Sequence, residues 1–342
     1  MKSLCLGQSS YEINTIFDEF IVENNYYDKC DKIENGGGKA ANAACLLGKW
    51  GVESYLSTAV GSDSNGDKIK NELELSTVKS EFVESNFDKD TTLEFSIINK
   101  KIGSKTSIVM TSEDKMARVK KTELAIEPDI IVIDGSEYPV SARTLNRFPN
   151  VTSIMIADQV SSEVCELSKY CSYIVCTKSF AEGITKIKAN FGDSTTLLNL
   201  YNGVKGRYPR NGVIILLEDK GIVYATESEI KVMPSVKVDF KDTAGSAEVF
   251  SASLAYSLLN NLDMEKALTY SVIAMSMSHS VYGGRTSIPS LNNVVAYYNS
   301  KFGTGSAASV ASAAPTQSPA AVSPTAQVPV TNNQNDVQST QS

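Results

Sequence analysis

The stretch Val238-Asp239-Phe240-Lys241-Asp242-Thr243-Ala244-Gly245-Ser246-Ala247-Glu248-Val249-Phe250 closes a polar connection and opens a helix. Phe250, Leu254, Ala255, Leu258 and Leu259 recur at the three- and four-residue spacing of one helical face, and Gly245 marks the start. The first N–H groups of such a helix, on Ser246, Ala247 and Glu248, have no acceptor within it and sit at the positive end of its dipole. They suit an anion. Glu248, in the same turn, stands where a base beside a transferring phosphoryl group would stand, although an acid also simply favours a first turn.

Upstream, short apolar runs at Ser3–Leu6, Tyr55–Val60, Asp129–Ile133, Val151–Ile156, Ser172–Cys176 and Val213–Leu217 read as buried strands. Helical patterns lie between them at Lys39–Trp50, Gly66–Leu75, Val140–Arg147, Ser161–Lys169 and Phe180–Asn190. Beyond Asp242 the chain turns helical, with Ser246–Asn260, Glu265–Val281 and Leu291–Tyr298. This alternation predicts an α/β fold, a central and mostly parallel sheet with helices on both faces. Ile13–Val22 with Tyr26–Ile33, and Leu93–Asn99 with Thr106–Thr111, break the alternation as hairpins. They predict a small β-sheet lid, from about 13–33 and 92–111, over the sheet edge where ligands of such folds bind.

A second glycine cluster, Asn35-Gly36-Gly37-Gly38-Lys39-Ala40-Ala41-Asn42-Ala43-Ala44, formally satisfies the dinucleotide pattern G-x-G-x-x-A. The preceding Asp31–Glu34 is not the buried first strand which that pattern requires, so the match is rejected. Two readings stay open. The glycines either allow close helix packing, or bare the backbone to a ligand for which Lys39 and Asn42 supply donors.

Composition narrows the function classes. Among 342 residues, Lys plus Arg is 32 and Asp plus Glu is 39, for a net charge of −7. No global basic face exists for nucleic acid. Hydrophobic content of 42% supports a packed core. No apolar run is long enough for a membrane span or a signal peptide, which predicts a cytoplasmic protein. The single histidine, His279, excludes two-histidine zinc sites and reads as a satisfied structural residue. The six cysteines show no CxxC and read as reduced, buried small hydrophobes. Lys115, Arg118, Lys120 and Lys121 read as a solvated helix face, and Trp50 as packing at a helix end. Residues 303–342, rich in Ala, Ser, Pro and Gln with one charge at Asp336, predict a disordered tail.

Together, the two clusters resemble the signatures of the PfkB, or ribokinase-like, kinase family. Gly37, Gly38, Asn42 and Ala44 match its G-G-x-x-x-N-x-A signature, and Val60–Gly66 is similar to its V-G-x-D-x-x-G element. Asp242–Phe250 resembles the C-terminal D-T-x-G-A-G-D-x-F signature, and Gly283–Pro289 its last G-x-x-x-x-I-P segment. The resemblance covers residues 1 to about 300 in matching order. It implies one domain over residues 1–302 that transfers the γ-phosphate of ATP, with Mg2+, to a hydroxyl of a sugar or nucleoside.

By position, Glu12, Gly37, Gly38, Lys39 and Asn42 would contact the acceptor. Gly245, Ser246 and Ala247 would form the anion hole, with Glu248 as the base. Asp242, Thr243, Leu216, Glu218 and Gly221 fall at nucleotide positions. Lys105, in a lid strand, would meet a phosphorylated acceptor. The lid would serve a homodimer and the tail a protein partner.

Departures at five positions cut against phosphoryl transfer. Glu248 replaces an aspartate, and an extra methylene displaces the carboxylate by ~1 Å, a shift able to cost about a hundredfold in rate. Ala247 replaces a glycine and sets a methyl where backbone would meet phosphate. Leu216 and Glu218 replace a threonine and a glycine, and Glu218 would repel ATP phosphates. Lys178 occupies a position where related kinases carry a metal-organising glutamate; it would repel Mg2+ or grip phosphate instead. The alternative function is a pseudokinase that binds a sugar or nucleoside as a sensor or interaction module.

Overall fold

The computed structural model describes residues 1–302; the tail expected at 303–342 lies outside the described residues. Among the described residues, fourteen strands run in chain order. They are β1 (Lys2–Leu6), β2 (Ser10–Phe17), β3 (Asp31–Gly37), β4 (Glu53–Gly61), β5 (Val78–Lys79), β6 (Val83–Asn86) and β7 (Thr92–Asn99), then β8 (Ser104–Val109), β9 (Ile130–Ile133), β10 (Thr152–Ala157), β11 (Tyr173–Thr177), β12 (Gly212–Leu216), β13 (Ile222–Ala225) and β14 (Ile230–Met233). The helices are α1 (Lys39–Lys49), α2 (Ser64–Leu75), α3 (Tyr138–Arg147), α4 (Ser162–Ser168), α5 (Lys178–Thr185), α6 (Ser194–Arg207), α7 (Ser246–Leu259), α8 (Met264–Ser278) and α9 (Leu291–Phe302).

Ten strands form the main sheet in the order β14-β13-β12-β11-β10-β9-β1-β4-β5, with β6 also on β4. Pairing is parallel from β5 to β12 and antiparallel at β13 and β14. Strand residues alternate between two apolar layers, as a sheet covered on both faces demands. Ile130, Val132, Ile154 and Ile156 enter the layer packed by α1, α7 and α8. Their neighbours Ile131, Ile133, Met155 and Ala157 enter the layer packed by α3 to α6. The α/β class is as expected. No helix among the described residues is long and apolar enough to cross a membrane.

The lid is a four-stranded sheet in the order β3-β2-β7-β8, with β2 and β7 parallel and the outer pairs antiparallel. Its first hairpin is displaced from the expected 13–33. Strand pairing begins at Ser10 and ends at Gly37, and residues 18–30 form the connection. Glu12 therefore sits inside a strand, and Gly36 and Gly37 end one.

Two further local expectations are corrected, and one helix is additional to those expected. Helix α5 stops at Thr185, because Lys186 turns left-handed at φ 64°. Helix α6 went unread, since Gly203 and Gly206 dilute the apolar repeat of Leu197, Leu200, Tyr201 and Val204. Lys115 closes a single 3-10 turn, and Arg118, Lys120 and Lys121 lie in irregular chain, not on a helix. Trp50 does pack at the end of α1, edge-on to Tyr256 at 5.1 Å, with its indole N–H on the Pro289 carbonyl at 3.0 Å. Four cysteines are buried as expected, but Cys30 is exposed; all six are free.

Candidate active site

Two helix N-termini and the inner face of the lid converge at one cleft. Helix α1 starts on Gly38, at φ 94°, where a Cβ would lie 2.1 Å from the Gln8 carbonyl oxygen; only glycine fits. That start presents Lys39, whose Nζ lies 3.3 Å from Asp158 Oδ2. Burial opposes the ammonium charge, but Asp158, Glu248 and Asp134 outweigh it and hold Lys39 above its ordinary range.

Helix α7 starts on Gly245, at φ 75°, pressed against Gly284. The Ser246 amide, expected to be open, donates to the Thr243 carbonyl at 3.2 Å, and the Ser246 hydroxyl joins it at 2.7 Å. The amides of Gly245 and Ala247 find no acceptor among the described residues, so the anion hole is narrower than the sequence implied. Glu248 is half-buried. Burial, opposed chiefly by Lys39, pushes its carboxyl from an ordinary 4.5 up to about 7.

Among the positions expected to contact an acceptor, Glu12 lies in the lid, opposite Asn35 on β3 and Glu94 on β7. Its Oε1 accepts from the Gly38 amide at 3.4 Å, and a Cβ on Gly37 would collide with it at 1.8 Å. Lys105, expected to meet a phosphorylated acceptor, is instead held between Glu94 (3.3 Å) and Glu12 (3.8 Å). Asn42 is buried, and its Oδ1 accepts from Arg285 Nε at 3.2 Å. The same guanidinium donates to the Gly37 carbonyl at 3.2 Å and reaches Glu72 at 3.1 Å. Asn42 thus helps hold the pocket floor in shape.

The positions expected to bind nucleotide separate into two groups. Asp242 is fully buried and accepts from the Ala244 and Gly283 amides at 2.8 and 3.1 Å. Burial raises its pKa against those bonds. It ties the start of α7 to the last loop. Thr243 spends its carbonyl on Ser246. Leu216 is 3% exposed, and its side chain is part of the apolar layer. Gly221, at φ 108°, turns the chain where a Cβ would lie 2.0 Å from the Met233 carbonyl oxygen.

Two of the departures pair with one another. Glu218, at φ 55°, pairs with Lys178 at 2.8 Å, and Lys178 also lies 5.6 Å from the Phe191 ring. The expected repulsions by an isolated Glu218 and an isolated Lys178 are therefore corrected. Ala247 is likewise benign: it is 6% exposed, and its methyl packs in the layer with Val249 and Phe250 rather than in the anion hole.

His279, expected to be satisfied, is not. Its ring is buried against Phe240 at 5.7 Å, its Nε2 has no partner, and burial lowers its pKa to about 4.

Sequence reading missed Asp134, Asp158, Glu94 and Arg285. Asp134 and Asp158 directly follow the carboxyl ends of β9 and β10, and an acid just past a buried parallel strand was the available signal. Asp134 accepts from the Ala40 amide at 3.2 Å and so fixes the start of α1. Arg285 lies within a segment already singled out, but nothing local revealed its partners 213 to 248 residues away.

No group of three or more His, Cys, Asp or Glu among the described residues could hold a metal by itself. Asp158 and Glu248 are the carboxylates whose charge acts most strongly on Lys39, and Asp158 is within ion-pair distance of it.

Comparison with known proteins gives a consistent result. The family model described as "pfkB family carbohydrate kinase" matches residues 2–291. A ribokinase of Bacillus subtilis (strain 168) is 24% identical over 274 residues, covering 75% of this chain and 86% of its own length. An ATP-dependent ribose-1-phosphate kinase of Halopiger xanaduensis is 23% identical over 310 residues, covering 88% and 99%. Among solved structures, Arabidopsis thaliana ribokinase complexed with ribose and ATP superposes with a TM-score of 0.67 at 17% identity, covering 86% and 97%.

Proposed function

The chain belongs to the pfkB family of carbohydrate kinases, and on that premise we propose that it transfers the γ-phosphoryl group of ATP to a hydroxyl of a sugar or nucleoside. The observation that carries this reading is Glu248. It is a carboxylate of pKa about 7 in the first turn of α7, within the field of Lys39 and beside two unpaired amides.

Glu248 accepts the proton of the acceptor hydroxyl as its oxygen bonds to the γ-phosphorus, and the bond to the ADP oxygen breaks. A pKa near the working pH serves both uptake and later release of that proton. The Gly245 and Ala247 amides, preorganised at the positive end of α7, receive the charge that develops on the transferring group. Lys39 holds a compensating cation beside the carboxylates. Magnesium, when bound, supplies charge neutralisation across the phosphates. The lid excludes water from the cleft.

The rival reading, a non-catalytic sugar or nucleoside binder, keeps one observation in its favour. The Glu218 side chain is 45% exposed at the end of β12, where it stands by the expected nucleotide groove. The two readings separate by ADP release from purified protein with MgATP and a panel beginning with ribose and ribose 1-phosphate, the sugars named for its relatives. Turnover that vanishes in Glu248→Ala sustains the kinase. Stabilisation by an acceptor, with no ATP binding and no turnover, overturns it.

A further inference from the structure

The inner face of the lid holds more polar chemistry than one hydroxyl-binding carboxylate needs. Strand alternation puts Ser10, Glu12 and Asn14 of β2 on one face, with Asn35 of β3 and Glu94 and Ser96 of β7 as their register neighbours. Lys105 reaches the same face, and Ser107 of β8 bonds Ser96 at 2.9 Å.

Two side chains there are anomalous. Asn14 is 0% exposed and Asn35 is 7% exposed, yet the amide oxygen and amide nitrogen of both have no hydrogen-bond partner. Asn35 Nδ2 lies 3.9 Å from where a Cβ on Gly283 would stand, beside the loop that carries Arg285, so this face is continuous with the acceptor pocket. A buried amide with both ends unpaired is costly and rare in a folded protein. Leucine would fill Asn14's position without that penalty.

The charges on this face limit what could complete it. Glu12, Glu94, Glu248 and Asp158 face the cleft against Lys39 and Lys105, and Lys105 is already shared by two carboxylates. A second phosphate on the acceptor would enter a field of its own sign. Resting on the acceptor-kinase reading above, we propose that Asn14 and Asn35 form a recognition subsite for an uncharged acceptor larger than a pentose. Beyond its phosphorylated hydroxyl, that acceptor carries adjacent hydrogen-bond donors and acceptors that pair with the two amides. Vicinal hydroxyls of a larger sugar and the amide-like edge of a nucleoside base share this chemistry. A site built to bond such groups rejects an analogue that lacks them.

The test measures binding, so it does not depend on turnover. Isothermal titration of the full chain compares ribose, a hexose panel, ribonucleosides and ribose 5-phosphate, for the natural protein and for Asn14→Leu and Asn35→Ala. The expected result is a hexose or a nucleoside bound at least tenfold more tightly than ribose, which names the source. That preference shrinks about tenfold in Asn14→Leu, whose thermal midpoint is equal to or above that of the natural protein. Asn35→Ala narrows the same preference and guards against a misfolded first variant. Ribose or ribose 5-phosphate as the tightest ligand, no binding by any panel member, or a preference untouched by both variants would overturn the subsite. So would a lowered midpoint in both variants, which marks the amides as structural. Loss of ADP release with the binding preference intact would remove the kinase reading and leave the subsite standing.

Discussion

Replacing Glu248 with glutamine should make the protein more stable in alkali while abolishing its turnover. The carboxyl is raised from 4.5 to about 7, so the folded state holds its proton more tightly than the unfolded state does. Folding stability is therefore lost as pH rises from 4.5 through 7, and the loss is complete above that. At ~1.36 kcal/mol per pH unit, the gap of 2.5 gives about 3.4 kcal/mol, and partial exposure reduces this to roughly 2–3 kcal/mol. Glutamine has nearly the same shape and cannot ionise, so the variant escapes the loss. At roughly 2 °C per kcal/mol for a chain of this size, Glu248→Gln should melt about 4–6 °C above the natural protein at pH 8.5. The two should melt within about 1 °C of each other at pH 4.5. Thermal unfolding by circular dichroism at both pH values reads the stability, and coupled ADP release reads the activity. Removing a general base should lower kcat at least ~100-fold. A variant less stable than the natural protein at pH 8.5, or a difference that does not change with pH, would refute the account of Glu248 as a carboxylate desolvated for catalysis.

Three other outcomes follow from the same geometry. Ala247→Gly should not raise activity, because the Ala247 methyl lies in the apolar layer; it should lower stability by about 1 kcal/mol through helix propensity, and a rise in kcat above about threefold contradicts this. Lys178→Ala should raise the KM for ATP roughly fivefold to tenfold by leaving Glu218 unpaired, and Lys178→Ala with Glu218→Gly should recover most of it; steady-state kinetics with ATP varied decides. His279→Phe should flatten acid destabilisation. The buried ring resists protonation down to about pH 4 while an unfolded histidine protonates near 6.5, so the natural protein alone loses up to about 3 kcal/mol across that window, measured by urea unfolding at pH 7.5 and 4.5.

What could be read from the sequence followed the range of the forces involved. Strand positions were legible because a two-sided buried strand must be an apolar run, and Ile130–Ile133 is one. The start of α7 was legible because Gly245 breaks the chain before a continuous apolar helix. Helix α6 was not, since its apolar face is carried by four residues among glycines and asparagines. The individual positions of the site were visible, but their pairings were not. Lys178 and Glu218 each looked damaging alone, and only the adjacency of β11 and β12 shows that they answer one another. The polarity of the lid interior was hidden in the same way, because the expected first hairpin begins three residues late, at Ile13 rather than Ser10, and nothing local names the partners of Asn14.

The Arg285 clasp also orders events on the ribosome. The floor formed by Gly37 and Asn42 takes its final shape from a guanidinium 243 to 248 residues later in the chain. While the N-terminal strands and α1 are already outside the exit tunnel, the Gly37–Asn42 corner still lacks its fastener. A partly synthesised chain has the glycines and the lid but lacks the guanidinium that ties Gly37 to Asn42, so that corner of the cleft takes its final shape only once the last loop has folded back.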